Sequence, residues 1–192
     1  MKLFNKNIIL YLILFIALSL NLSYGQRIKA PLAVQLKLIP KVLSLDKNFI
    51  SRKEDQFNLA VLYSSLQRNS SKTKNEFNDA IKKKNMFVKT TKINISFIDI
   101  AKTPNIEKYL NDNKIDVVYI TPLRGVDINS IAKTCKNEKA LTVTGVLEFM
   151  QNEISVSFDI KDKKLQIIIN NTAAKLEGTN FSSRLLRIAK VI

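Results

Sequence analysis

Phe57-Asn58-Leu59-Ala60-Val61-Leu62-Tyr63 is a nearly continuous apolar run, closed by Ser64-Ser65. A strand that reads this way has both faces covered, the condition of strands in parallel sheets. Asp116-Val117-Val118-Tyr119-Ile120 repeats the pattern, and Ala140-Leu141-Thr142-Val143-Thr144 follows as a further strand. Ile93, Ile95, Phe97 and Ile98 make another, alternating at first and so placed nearer an edge. Helical signals separate these runs. Phe77, Ala80 and Ile81 form the stripe of a short lysine-rich helix, and Pro104 to Asn113 carries Ile106, Tyr109 and Leu110. Asp127 is placed to cap a helix running through Asn137, and Gly145 turns the fourth strand into a short helical piece. Strand alternating with helix implies right-handed crossovers and a mostly parallel sheet flanked by helices, an α/β fold.

Outward toward the N-terminus, Leu32, Leu36, Ile39, Val42 and Leu43 recur at helical spacing after Pro31, which suits a first helical turn. Pro40 falls inside this helix, where a kink is expected. Ser44 to Asp55 is polar and reads as a connection. Toward the C-terminus the rhythm changes. Ile154, Val156, Phe158 and Ile160 alternate with polar residues, Lys161-Asp162-Lys163-Lys164 makes a turn, and Leu165 to Ile169 returns, which predicts a β-hairpin. Asn170 caps a short helix ended by Gly178, and Ser182 caps a last helix burying Leu185, Leu186 and Ala189.

The first 25 residues carry a different message. Lys2 and Lys6 precede an apolar run from Ile8 to Leu22, and Ser23-Tyr24-Gly25 puts small residues at the −3 and −1 positions of a cleavage site. That is a secretory signal peptide, with Gln26 as the mature N-terminus and residues 26–192 as one soluble exported domain. The competing reading of the same run is an uncleaved membrane anchor. No later segment is long and apolar enough to span.

Composition narrows the function classes. A hydrophobic fraction of 46% with 24% charged residues is that of a globular chain. The net charge of +15 becomes +13 without the leader, which holds Lys2 and Lys6 and no acid. Lysines are scattered, with short clusters at Lys82-Lys83-Lys84 and at Lys161, Lys163 and Lys164, and no aromatic residues interleave with them. A nucleic-acid partner is not expected; a solvated basic surface is. There is no histidine, which excludes Ser-His-Asp and Cys-His catalysis and His-ligated zinc. Cys135 is the only cysteine, so no disulfide forms within the chain. It can pair between chains, giving a homodimer, but a quiet, half-buried helix position is the simpler reading.

Ligands of open parallel sheets gather outside the carboxyl ends of the strands. Those ends are Tyr63-Ser64-Ser65, Thr121-Pro122-Leu123-Arg124 and Thr144-Gly145. Ser64, Ser65, Thr121, Arg124, Thr144 and Gly145 are therefore the candidate binding residues for a small polar or anionic ligand, Arg124 first among them. The plainer alternative is that they cap helices and shape turns. Glu148 near Thr144 and Asp127 near Arg124 are close only in sequence, and a catalytic carboxylate pair is not expected. No Gly-rich phosphate loop, Gly-x-Ser-x-Gly elbow or metal-ligand cluster occurs, so neither enzyme, cofactor nor metal is expected.

The run Ile169-Asn170-Asn171-Thr172-Ala173-Ala174-Lys175-Leu176-Glu177-Gly178, followed by Ser182-Ser183-Arg184-Leu185-Leu186-Arg187-Ile188, closely resembles the ending of YfiR-like periplasmic proteins. Val34-Gln35-Leu36, Lys41-Val42-Leu43 and Asp46-Lys47-Asn48-Phe49 resemble the opening helix of one branch of that family. The resemblance implies a fold related to half of a periplasmic solute-binding protein. It also implies a periplasmic regulator acting on the exported part of a membrane-bound diguanylate cyclase or sensor kinase. The alternative class is a small-solute binding component of a transporter or envelope assembly. Many members carry several cysteines, and Cys135 alone gives no support to control by an internal disulfide.

Overall fold

A computed structural model describes residues 26, 28–48 and 56–192. Residues 1–25, read from the sequence as a signal peptide, and residues 49–55 of the expected connection lie outside the described residues. The elements run α1 (Leu32–Leu43), β1 (Phe57–Tyr63), α2 (Arg68–Lys83), β2 (Phe87–Val88), β3 (Thr91–Asp99), α3 (Ile106–Asp112), β4 (Val117–Ile120), α4 (Ile128–Asn137) and β5 (Leu141–Thr144). A 3₁₀ segment (Leu147–Asn152), β6 (Val156–Lys161), β7 (Lys164–Ile169), α5 (Asn171–Leu176), α6 (Ser183–Ile188) and β8 (Lys190–Val191) complete the chain.

The eight strands form one sheet in the order β2-β3-β1-β4-β5-β6-β7-β8. Strands β3, β1, β4, β5 and β6 are mutually parallel, β2 is antiparallel to β3, and β7 is antiparallel to β6. Phe57 stands opposite Ile93 and Leu59 opposite Val117, so β1 lies at the centre with both neighbours in register. Its residues divide the core in two. Phe57, Leu59 and Val61 face α1 and Phe77 of α2. Ala60 and Leu62 face Leu110 of α3, Ile131 and Cys135 of α4, and Phe149 of the 3₁₀ segment. Two covered faces are what the apolar runs of β1 and β4 require.

The caps expected from the sequence are present. Asp127 accepts from the Ser130 amide at 3.2 Å, Asn170 from Ala173 at 3.0 Å and Ser182 from Leu185 at 3.4 Å. Gly178 closes α5 with φ +80°. The hairpin turns on Asp162 and Lys163, with φ +50° and +62°, the two-residue turn whose twist matches its strands.

Pro40 falls inside α1, where the spacing placed it; the helix continues to Leu43, and the Ser44 amide bonds to the Pro40 carbonyl at 2.9 Å. Several expectations need correction. Pro31 takes the N-cap position, not the first turn. Helix α2 has 16 residues and is not short, because its first two turns are polar and hide buried Ser70 and Thr73. Strand β6 begins at Val156 and not Ile154, and its polar Ser157 and Asp159 are buried while Ile160 is 39% exposed. Asp159 pairs with Lys29 at 3.4 Å, so the N-terminal segment contributes to that burial. The short edge strands β2 and β8 carried no sequence signal at two residues each. Helix α6 buries Leu185 fully and Leu186 only partly, and Ala189 is its C-cap. No helix among the described residues is long and apolar enough to cross a membrane.

Candidate functional site

From β1 the chain crosses outward to β3, then returns past β1 to β4. The strand order therefore reverses between β1 and β4, and the crevice beyond their carboxyl ends is where such sheets bind ligands. Two adjoining pockets open there. One, of about 270 Å³, is lined by Gln26, Gln67, Arg68, Asn69, Pro122 and Arg124. The other, of about 340 Å³, shares Gln26, Asn69 and Pro122 and extends along α2 to Lys72, Thr73 and Glu76. These volumes stand at the small end of ligand sites.

Local hydrogen bonds hold the walls. The Gln67 side chain donates to the Arg124 carbonyl at 2.9 Å and accepts from the Arg124 amide at 2.7 Å. Gln26 donates to the Leu123 carbonyl at 3.0 Å, leaving its amide oxygen buried without a partner. Arg124 and Arg68 are exposed at the rim. Helix α2 begins at Arg68 with no acidic residue in its first turn, so its positive end adds to the two guanidinium groups. Lys72 is partly neutralised by Glu76 at 3.8 Å. The arrangement suits a small molecule with polar or anionic groups.

The six candidates from the sequence part company here. Arg124 lines the crevice. Ser65 is exposed beside it, its amide donating to Asp99 at 3.0 Å. Ser64 and Thr121 are buried in a relay: the Ser64 amide donates to Ser70 Oγ at 2.8 Å, Ser70 Oγ meets Thr121 Oγ1 at 2.6 Å, and Thr121 donates to the Leu62 carbonyl at 2.9 Å. Thr144 is also committed internally, donating to the Ile120 carbonyl at 2.9 Å and accepting from the Val146 amide at 3.1 Å. Gly145 packs on Gln35, and a Cβ there would lie 2.6 Å from the Gln35 amide nitrogen. Gln35 donates to the Ala30 carbonyl at 2.7 Å and accepts from the Tyr119 hydroxyl at 2.9 Å. Sequence reasoning missed Gln26, Gln67, Arg68 and Asn69. The available signal was the N-terminus of the helix that follows the central strand.

The structure also shows a buried carboxyl that the sequence did not advertise. Glu177 is fully buried beneath the amino ends of β5 and β6. It accepts from the Thr142 amide at 2.9 Å, from Thr142 Oγ1 at 2.7 Å and is bonded to Ser155 Oγ. Burial pushes its pKa up to about 7, against the hydrogen bonds from Ser155 and Thr142 and the charge of Lys136. Cys135 is fully buried and not half-buried as expected, and burial with nearby Glu177 and Glu138 raises its thiol pKa. Among the described residues no group of three or more His, Cys, Asp or Glu side chains could hold a metal.

Solved structures share this fold, three of them as follows. The ABC domain in complex with L-Trp from Streptococcus pneumonia matches with TM-score 0.56 and 14% identity, over 82% of this chain and 60% of its own. A conserved domain protein from Vibrio cholerae matches with TM-score 0.57 and 14% identity, over 84% and 60%. The ligand-free, open structure of a substrate binding protein with adhesive properties from Clostridium difficile matches with TM-score 0.54 and 13% identity, over 82% and 58%. The chain thus spans about three fifths of the structures it resembles. No curated protein matches the chain at a significant level. The family model described as YfiR/HmsC-like matches residues 49–190, most of the chain and nearly all of its sheet. The chain belongs to the YfiR/HmsC-like family.

Proposed function

We propose that residues 26–192 are an exported, non-enzymatic regulator that modulates a membrane-bound signalling protein, a diguanylate cyclase or sensor kinase, from the periplasmic side. A small polar or anionic ligand in the crevice between β1 and β4 tunes that contact. The observation that carries the reading is the family match over residues 49–190. The leader-like segment before Gln26 supports export. The crevice walls of Gln26, Gln67, Arg68, Asn69 and Arg124 support the ligand.

A second reading, a small-solute binding component of a transporter or envelope assembly, is favoured by the likeness in fold to a domain in complex with L-Trp and to a substrate binding protein. Pull-down of the mature protein from envelope extract separates the two. Recovery of a cyclase or sensor kinase supports regulation, whereas recovery of a permease or outer-membrane receptor supports the second reading. Calorimetry against a panel of small polar and anionic compounds, with Arg124→Ala as control, tests the crevice. Binding that the substitution leaves unchanged would remove Arg124 from the site.

A further inference from the structure

A second concavity lies farther along the α1–α2 pair, toward the end of α2, and shares no lining residue with the crevice. Its volume is about 680 Å³, and its floor is apolar: Leu36 and Pro40 from α1, Ile81 from α2, and Met86 and Phe87 beyond it. Phe87 is 47% exposed, unusual for an aromatic side chain in a wall of this kind. The rim is cationic, with Lys37 and Lys41 on one side and Lys83 and Lys84 on the other. No carboxylate lines it among the described residues.

The α1 wall runs from Ala33 to Lys41, eight residue steps or about 12 Å of helix. Its members Ala33, Leu36, Lys37, Pro40 and Lys41 are spaced by three, one, three and one, so they form one helix face. We infer that this groove is the docking site for an acidic amphipathic helix of a partner protein. The inference rests on the regulatory reading above and gives its partner a chemistry. An amphipathic helix anchors in a groove through side chains at i, i+3, i+4 and i+7, which span about 10.5 Å and so match the α1 wall. Acidic residues flanking that apolar stripe meet Lys37 and Lys41 on one side and Lys83 and Lys84 on the other. A second copy meeting it groove to groove presents the same four lysines and is repelled. A flat bilayer surface attracts lysines, but it cannot fill a trough between two helices.

The test uses a fluorescent 18-residue probe helix with leucine at i, i+3, i+4 and i+7 and glutamate at most other positions. Anisotropy is followed on the purified protein, together with a version of the probe carrying lysine for glutamate and one carrying serine for leucine. The acidic amphipathic probe is expected to bind, and both altered probes to lose binding. Lys37→Glu with Lys41→Glu, two exposed positions that leave the core untouched, is expected to weaken binding roughly tenfold or more. Lys161→Glu with Lys164→Glu, which reverses equal charge at the distant hairpin, is expected to change it by less than about twofold. Equal loss in the two double variants would reduce the effect to general attraction and overturn the inference. So would tighter binding of dodecanoate or anionic vesicles than of the probe with the same dependence on Lys37 and Lys41. If deletion of the protein leaves cyclase and kinase output unchanged in cells, the regulatory reading fails, and the probe measurement still judges the groove.

Discussion

Replacing Glu177 by glutamine should abolish a pH dependence of stability that the wild-type protein carries near neutrality. Glu177 is buried, and its pKa in the folded state is about 7 against an ordinary 4.5. A carboxyl whose pKa rises on folding binds its proton more tightly in the native state than in the unfolded one. Its contribution is therefore fully present below pH 4.5 and is lost as pH rises through 7. The loss amounts to about 3 kcal/mol over that window. Glutamine matches the donor and acceptor pattern of the protonated carboxyl, with the bond to Thr142 Oγ1 reversed. Its oxygen accepts from the Thr142 amide and Ser155 hydroxyl, as one carboxylate oxygen does now. Its amide nitrogen takes the place of the other oxygen and donates to Thr142 Oγ1. Urea unfolding followed by circular dichroism at pH 5, 6, 7 and 8 is the assay. Glu177→Gln should stand close to wild type at pH 5 and gain on it by about 2–3 kcal/mol by pH 8. Parallel curves across that range would refute the assignment of a neutral carboxyl to this site.

Other perturbations have defined outcomes. Gly145→Ala drives a methyl group to 2.6 Å from the Gln35 amide, which is bonded to Ala30 and Tyr119, and should cost about 1–3 kcal/mol in chemical denaturation. In the Gln35→Ala background the same substitution should cost measurably less, since the obstructing atoms are gone; an undiminished cost would refute the contact. Changing Asp162-Lys163 to Asn-Gly relieves two positive-φ positions and should raise stability by about 1 kcal/mol, read as a higher urea midpoint with unchanged slope. Removing the last ten residues deletes buried Leu185 and the Ile192 amide that bonds to the Ile169 carbonyl at 2.9 Å. Loss of the cooperative melt is expected, and an unaltered melt would show that α6 and β8 are dispensable.

Much of this architecture can be read along the chain, because what makes it is local. The runs at 57–63 and 117–120 are almost wholly apolar on both faces, so each reads as a covered strand. Asp127, Asn170 and Ser182 bond to amides three residues on, and the turn at Asp162-Lys163 closes between adjacent strands. The carboxyl ends of the strands followed from the same reading, and with them Arg124.

What only the tertiary structure decided depends on residues far apart in sequence meeting. Strand order, and hence the crevice between β1 and β4, arises from crossovers that leave no mark in the strands themselves. Thr121 and Thr144 look like ligand hydroxyls in one dimension, yet each bonds to a carbonyl of the neighbouring strand, because a buried hydroxyl must find a partner. Glu177 reads as an ordinary helix-end acid; Thr142 on β5 lies 35 residues before it, and their contact buries the carboxyl and moves its proton affinity toward neutrality. The lysine-rimmed groove was visible only as scattered charge until α1 and α2 packed side by side. Short-range periodicity and capping chemistry specify the elements, and long-range burial specifies which of their polar groups remain free to bind anything.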